Sequence, residues 1–169
     1  MGKDPVSADP GILDTDEVLV RTMHQTDLEA VVAIDATASG RKRPRYFELL
    51  LQRALQPATM QISLVAELDH RVVGFLVGSL YYGEFGVLEP SASLEAIGVD
   101  PGFRHRHVGR ALMRQLRLNL GALQISTVRT EVAWSDFELL AFFKSQGFAP
   151  AERLCLECSW DPTAPGDVE

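Results

Sequence analysis

The stretch Glu95-Ala-Ile-Gly-Val-Asp-Pro-Gly-Phe-Arg-His-Arg-His-Val-Gly-Arg-Ala-Leu112 decides how this chain is read. Ser91–Val99 has the alternation and β-branched content of a strand, Asp100-Pro-Gly is turn chemistry, and apolar residues recur at helical spacing from Val108 to Leu120. A strand therefore runs into a turn and the turn into a helix. The first amides of a helix have no intrahelical acceptor and sit at the positive end of its dipole, so this junction suits an anion such as phosphate. Gly109 lets the backbone approach the anion closely, Ala111 keeps the first turn narrow, and Arg104, Arg106 and Arg110 add positive charge. A capped helix with a solvated arginine-rich face accounts for the same residues, so the motif alone leaves both readings open.

Outside the junction, Val18–Met23 reads as a first strand. Thr26 followed by Glu29 reads as a capping-box start to a helix ending near Ala38. Pro44 opens a second helix, in which Phe47, Leu50, Leu51, Ala54 and Leu55 form the apolar side until Pro57 stops it. Gln61–Leu68 and Val72–Tyr81 read as a hairpin of two central strands, followed by a loop over Gly83–Pro90. After the helix that ends near Gly121 come a strand at Thr127–Trp134, a helix at Phe137–Gln146 closed by Gly147, and a last strand at Ala151–Trp160. The order β-αα-βββ-α-β-α-β is mixed α/β and is not a regular doubly wound repeat.

The 169 residues are 46% hydrophobic and 23% charged, which is the composition of one ordinary globular domain. Residues 16–160 carry the pattern, whereas 1–15 and 161–169 read as a flexible leader and tail. Sixteen Lys plus Arg against 23 Asp plus Glu give a net charge of −7, which argues against nucleic-acid or membrane partners. There is no apolar run of ~18 residues and no signal-peptide pattern at Met1–Pro10, so a cytoplasmic location is expected. Cys155 and Cys158, three apart in the expected last strand, point to opposite faces and read as free thiols rather than as a disulfide or metal pair.

Val99-Asp-Pro-Gly-Phe-Arg104 with Val108-Gly-Arg-Ala-Leu112 resembles the V-x-P-x-x-[RQ]-x-x-G-x-[GA] signature of the GNAT superfamily of acyl-CoA-dependent N-acyltransferases. Asp136-Phe-Glu-Leu-Leu-Ala-Phe-Phe-Lys-Ser-Gln-Gly-Phe148 is similar to that family's second signature, N-x-x-A-x-x-F-Y-x-x-x-G-F. The resemblance spans about Val18–Trp160. It implies a mostly antiparallel central sheet flanked by helices on both faces, and acetyl-CoA as acyl donor with no metal. In this reading the pyrophosphate meets the backbone of Arg104, His105, Arg106, His107, Val108, Gly109 and Arg110, with Ala111 behind them. The pantetheine then pairs with Ile97 and Val99, and Asp136 and Phe143 border the cofactor. A backbone N–H near Ile97 would polarise the acyl carbonyl.

Three positions depart from the family pattern. His107 stands where the first glycine of the signature falls, at a backbone angle that glycine takes more easily. Phe143 stands where many members carry the tyrosine that protonates the leaving thiolate, and Asp136 replaces an asparagine. A small-molecule or peptide amine must lose a proton before it attacks, and Glu95, expected on the strand face of Ile97, is the leading base, with Asp136 and Glu84 as alternatives. Glu84 and Glu89 are candidates for contact with a cationic acceptor. Arg45 and Tyr46, from the basic run Arg41-Lys-Arg-Pro-Arg45, are candidates for an anionic group on it. Solvated loop carboxylates and a solvated helix start explain the same residues without a substrate. The function expected is N-acetyl transfer to an amine, and the alternative is a catalytically silent CoA-binding or regulatory module. A homodimer is left open.

Overall fold

The structure, a computed structural model, describes residues 18–56, 62–82, 88–160 and 163. It divides into two compact units, Met1–Ala133 and Trp134–Glu169.

The first unit is built on a sheet of β1 (Leu19–Thr22), β2 (Leu64–Leu68), β3 (Arg71–Tyr81), β4 (Ser91–Val99) and β5 (Val128–Thr130), paired in that order. All neighbours are antiparallel except β4 and β5, which are parallel. The β2–β3 hairpin closes on Asp69 and His70, both at positive φ (50° and 61°), as a two-residue hairpin turn that follows the strand twist requires. The expected strand Thr127–Trp134 forms only over Val128–Thr130.

Helices α1 (Leu28–Ser39) and α2 (Pro44–Ala54) bury Val31, Val32, Ile34, Phe47, Leu50 and Leu51 with Val65, Phe75 and Val77 of the sheet. Phe47 meets Phe75 edge to face with ring centroids 5.6 Å apart. Helix α3 (Val108–Ala122) lies on the other face. A Cβ on Gly74 would stand 2.7 Å from Val108 Cγ1, so glycine there lets α3 approach the sheet backbone.

Asp27, not Thr26, organises the start of α1. A 3-10 turn over Gln25–Asp27 precedes the helix, and the buried Asp27 carboxylate accepts His24 N–H at 2.8 Å and two Arg21 N–H groups at 2.8 Å each. Arg21 also donates to Glu67 Oε1 at 2.6 and 2.9 Å. Burial pushes the Asp27 carboxyl up, but the hydrogen bonds from Arg21 and His24 with the charge of Arg21 outweigh it and hold the group below its ordinary value. At the start of α2, Arg43 makes two bonds to the buried Asp35 at 2.6 and 3.1 Å and lies 5.1 Å over the Tyr46 ring. Part of the basic run therefore ties α1 to α2.

In the second unit α4 (Phe137–Ser145) is capped by Asp136, whose Oδ1 accepts Leu139 N–H at 3.0 Å. Gly147, at φ +85°, ends the helix, and Phe148 N–H returns to the Phe143 carbonyl at 3.0 Å. Phe143 is buried, with its ring 4.9 Å from Phe148 and 5.4 Å from Phe142. The expected strand Ala151–Trp160 is not formed, and Leu154, Leu156 and Trp160 are exposed. Alternation marks which residues share a face, but a strand needs a ladder partner, and this segment has none among the described residues.

Candidate acyl-transfer site on strand β4

Strand β4 changes character half-way along. Its register against β3 runs from Ser91↔Tyr81 to Leu94↔Gly78 and resumes at Ala96↔Val77, so Glu95 is the extra residue of a β-bulge. On the other side, β4 pairs with β5 only through Ala92, Ser93 and Leu94. Among the described residues, Glu95–Val99 thus has one ladder neighbour and one open edge.

The bulge also decides which backbone groups face that edge. Before it, Ala92 N–H donates to the Thr127 carbonyl and the Leu94 carbonyl accepts from Thr130 Oγ1, both at 2.9 Å, so the even-numbered residues address β5. After it, Asp100 N–H donates to the Val73 carbonyl of β3 at 2.8 Å. Backbone groups alternate along a strand, so past the bulge the even residues address β3 and those of Ile97 and Val99 turn to the open edge. A regular strand would have turned Ala96 and Gly98 there instead.

The same irregularity corrects one expectation. Glu95 and Ile97, two apart, do not share a face. Ala96 packs with the α1–α2 core, Glu95 reaches α2, and a Cβ on Gly98 would meet the Phe75 ring at 2.5 Å, so Glu95, Ala96 and Gly98 lie toward α1–α2. Ile97, between Ala96 and Gly98, points to the α3 side.

The turn after β4 is held from within. Asp100 accepts Gly102 N–H at 2.9 Å and Arg71 Nη2 at 2.7 Å, and Pro101–Phe103 forms a 3-10 turn. Arg71 and Arg106 stand 5.4 and 5.6 Å from the centre of the Phe103 ring. His105 and His107 both adopt positive φ, 64° and 59°. His107 occupies the position before α3, and no side chain caps that helix. Ala111 N–H takes the His107 carbonyl at 2.9 Å, so the amides of Val108, Gly109 and Arg110 have no intrahelical acceptor. Arg104, His105, Arg106 and Arg110 are exposed around them, whereas Val108 and Ala111 are buried. An uncapped N-terminus ringed by arginines attracts an anion.

Glu95 is half-buried between two elements. Tyr81, at the end of β3, donates its hydroxyl to Glu95 Oε1 at 3.0 Å. Arg53, in the last turn of α2, places Nη2 3.9 Å from Oε2, beyond hydrogen-bond length. Sequence reasoning missed both partners as neighbours of Glu95. The register that brings Tyr81 to Glu95 crosses the loop between β3 and β4, and no spacing in the sequence signals it.

The other candidates fall elsewhere. Arg45 pairs with Glu48 at 3.4 Å in the first turn of α2, and Tyr46 stacks under Arg43. Eight residues, about 12 Å of helix axis, separate Arg45 from Arg53, so the first turn of α2 is not brought to Glu95. Glu84 lies outside the described residues, and Glu89 is exposed. Asp136 serves as the cap of α4, and Phe143 is part of an aromatic cluster.

Residues 60–150 match the family model described as an acetyltransferase (GNAT) domain. Among solved structures, Ard1 from Thermoplasma volcanium is 28% identical, with a TM-score of 0.66 over 79% of this chain and 83% of that one. The aminoglycoside N-acetyltransferase AAC(6')-Iy in complex with CoA is 20% identical, with a TM-score of 0.69 over 84% of this chain and 94% of its own. Arabidopsis thaliana Naa50, in complex with the bisubstrate analogue CoA-Ac-MVNAL, is 15% identical with a TM-score of 0.66 over 80% and 85%. What the last two share with this chain is the fold. The family model covers more than half of the 169 residues, and the chain belongs to the GNAT acetyltransferase family.

Proposed function

We propose that this chain transfers the acetyl group of acetyl-CoA to an amine by direct attack on the thioester, within a domain spanning residues 16–160 and acting in the cytoplasm. One observation carries the reading. Past the bulge, β4 offers the backbone of Ile97 and Val99 at an open edge that leads straight to the uncapped N-terminus of α3, with a half-buried carboxylate at the bulge itself. An elongated thioester ending in a pyrophosphate suits that layout. Complexes of AAC(6')-Iy and Naa50 with CoA or a CoA analogue support the choice of donor.

Val108, Gly109 and Arg110 hold the pyrophosphate through their amides, helped by Arg104, His105 and Arg106, and His107 and Ala111 shape the turn. Ile97 and Val99 hold the pantetheine amides. One N–H near Ile97 donates to the acyl oxygen and stabilises the negative charge that develops there, a contribution worth ~3 kcal/mol at comparable donors. Glu95 takes a proton from the acceptor ammonium, directly or through water. The amine nitrogen then bonds to the acyl carbon as the carbon–sulfur bond breaks. As that bond breaks the nitrogen releases its second proton to water, and the thiolate of CoA leaves with the electron pair and is protonated from solvent.

Tyr81 is a positioning residue in this scheme. Its hydrogen bond fixes Oε1 and leaves Oε2 for the amine. The positive φ of His107 together with Phe143 supports a second reading, a CoA-binding module without turnover. Thiol release from acetyl-CoA, measured against pooled amines, separates the two: amine-dependent release is expected, and CoA binding without it favours the silent module. Calorimetry should find CoA binding that weakens as salt rises, and salt-independent binding would count against the phosphate contacts.

A further inference from the structure

We propose that the acceptor carries an anionic group, a carboxylate or phosphate about 10 Å from its amine, and that Arg129 holds it, an inference that rests on the acyl-transfer reading above. The sheet face that α1 and α2 cover turns polar at the bulge. Phe75, Val77 and Ala96 pack into the core, whereas the register beyond them sets Ser79 and Arg129 beside Ser93, and Tyr81 beside Ser91. Ladder partners share a face, so these side chains lie on the same side as Val77. Tyr81 reaches Glu95 from this row, and Arg129 Nη1 donates to Ser91 Oγ at 2.9 Å. A polar ledge therefore runs from Glu95 to Arg129 at the end of the apolar core.

Arg129 is the member of that ledge whose charge is unanswered. Among the described residues only Arg21 and Arg129 are half-buried arginines, and the others are exposed. Arg21 is met by the carboxylates of Asp27 and Glu67. Arg129 is met by the neutral Ser91 hydroxyl and makes no ion pair among the described residues. A guanidinium partly withdrawn from water gains most from a charged partner, and one bond to Ser91 leaves further donors of its planar fork for an anion. Ser91 lies four residues before Glu95, about 13 Å along a strand, so a guanidinium bonded to Ser91 stands about 10 Å from the Glu95 carboxylate once the side chains are allowed their reach. The amine and carboxylate of an α-amino acid, about 3 Å apart, cannot meet both groups. Three residues of extended peptide, or a chain of about seven methylenes, span the gap.

The test is thiol release from acetyl-CoA with ω-amino acids of increasing chain length and with unbranched tripeptides, each as the free acid and as its amide. The preference for acid over amide should be absent in α-amino acids and reach about tenfold in kcat/KM for the tripeptides or for chains of about seven to nine carbons, and whichever series shows it tells a peptide acceptor from a small molecule. Arg129→Gln should erase the preference by raising KM for the acid, and Arg129→Lys should restore part of it. No preference at any length, a preference greatest for α-amino acids, or an Arg129→Gln variant that lowers acid and amide alike would overturn the proposal. Calorimetry with the same acids and amides, without acetyl-CoA, separates it from the reading on which it rests. If the long acid binds about tenfold more tightly than its amide and Arg129→Gln removes the difference, the anion site stands even where no amine is acetylated and the transfer reading fails. If amines are acetylated but the acid binds no more tightly than the amide, the transfer reading stands and the role of Arg129 fails.

Discussion

Two arginine–carboxylate clusters are built into the five-stranded sheet, and they differ in what they leave unbonded. In the Arg21–Asp27–Glu67 cluster, both oxygens of Asp27 are bonded at 2.8 Å and Glu67 accepts at 2.6 Å. In the Arg53–Glu95–Tyr81 cluster, one oxygen is fixed at 3.0 Å and the other meets its arginine only at 3.9 Å. The first is closed, and opening it would strand a buried charge, so it can stabilise the fold but cannot serve a ligand. In the second, one carboxylate oxygen has its arginine contact beyond hydrogen-bond length, which is what the proposed proton transfer requires. Both clusters contain an arginine–carboxylate ion pair, and it is the bonding of the individual oxygens that separates the structural cluster from the one proposed for chemistry.

The sharpest way to break that comparison is to neutralise each carboxylate. Glu95→Gln should lower turnover at neutral pH by about 100-fold or more while leaving the melting temperature and CoA affinity near wild type. Asp27→Asn should do the reverse. It should cost about 2–3 kcal/mol of stability, read by urea unfolding, and leave kcat unchanged. If both substitutions lower stability and turnover together, the division between the clusters fails.

Acid sharpens the same contrast. The Asp27 carboxyl titrates below its unfolded value of about 3.9, so its contribution to stability is fully present above that value and is lost as pH falls below it toward the folded value. Unfolding free energy should therefore decline as the pH drops through about 4, and Asp27→Asn should flatten that part of the curve. A wild-type profile equally steep in the variant would remove Asp27 from the acid response.

The smallest effect is expected at the turn before α3. His107→Gly removes a side chain from a left-handed backbone position and should raise stability by less than about 1 kcal/mol. It should also tighten CoA binding a few-fold by calorimetry. Unchanged or weaker binding would show that the turn has adapted to histidine.

Much of this arrangement is legible in the sequence because it is set locally. Pro44 at the first position of α2, the alternation of Ser91–Val99, and the run from Asp100-Pro-Gly into Val108 each carry their own signal, and the elements begin where those residues indicate. The unaccepted amides at the start of α3 and the arginines of the turn follow from the same stretch, whereas the outward turn of Ile97 and Val99 depends on the bulge. What is not legible depends on distant pairing. The bulge at Glu95 arises between β3 and β4 and puts Glu95 and Ile97 on opposite faces against simple alternation. Tyr81 and Arg53 meet Glu95 through strand register and helix packing, which no spacing encodes. Ala151–Trp160 shows the converse: a strand-like pattern forms no strand without a partner. Asp27 displaced Thr26 at the start of α1 because Arg21 and His24 converge on its carboxylate, not because of its position relative to Glu29.

The central claim is that the carboxylate at the bulge moves a proton from the acceptor, and the pH dependence of Glu95→Gln tests it most directly. As pH rises, solution supplies the free amine and the base becomes dispensable. The deficit of the variant relative to wild type should therefore be largest near neutrality and shrink toward pH ~9–10, as an alkyl amine with a pKa of ~10.4 begins to deprotonate. A variant with wild-type turnover across that range, or a deficit that stays constant as the amine deprotonates, would contradict it.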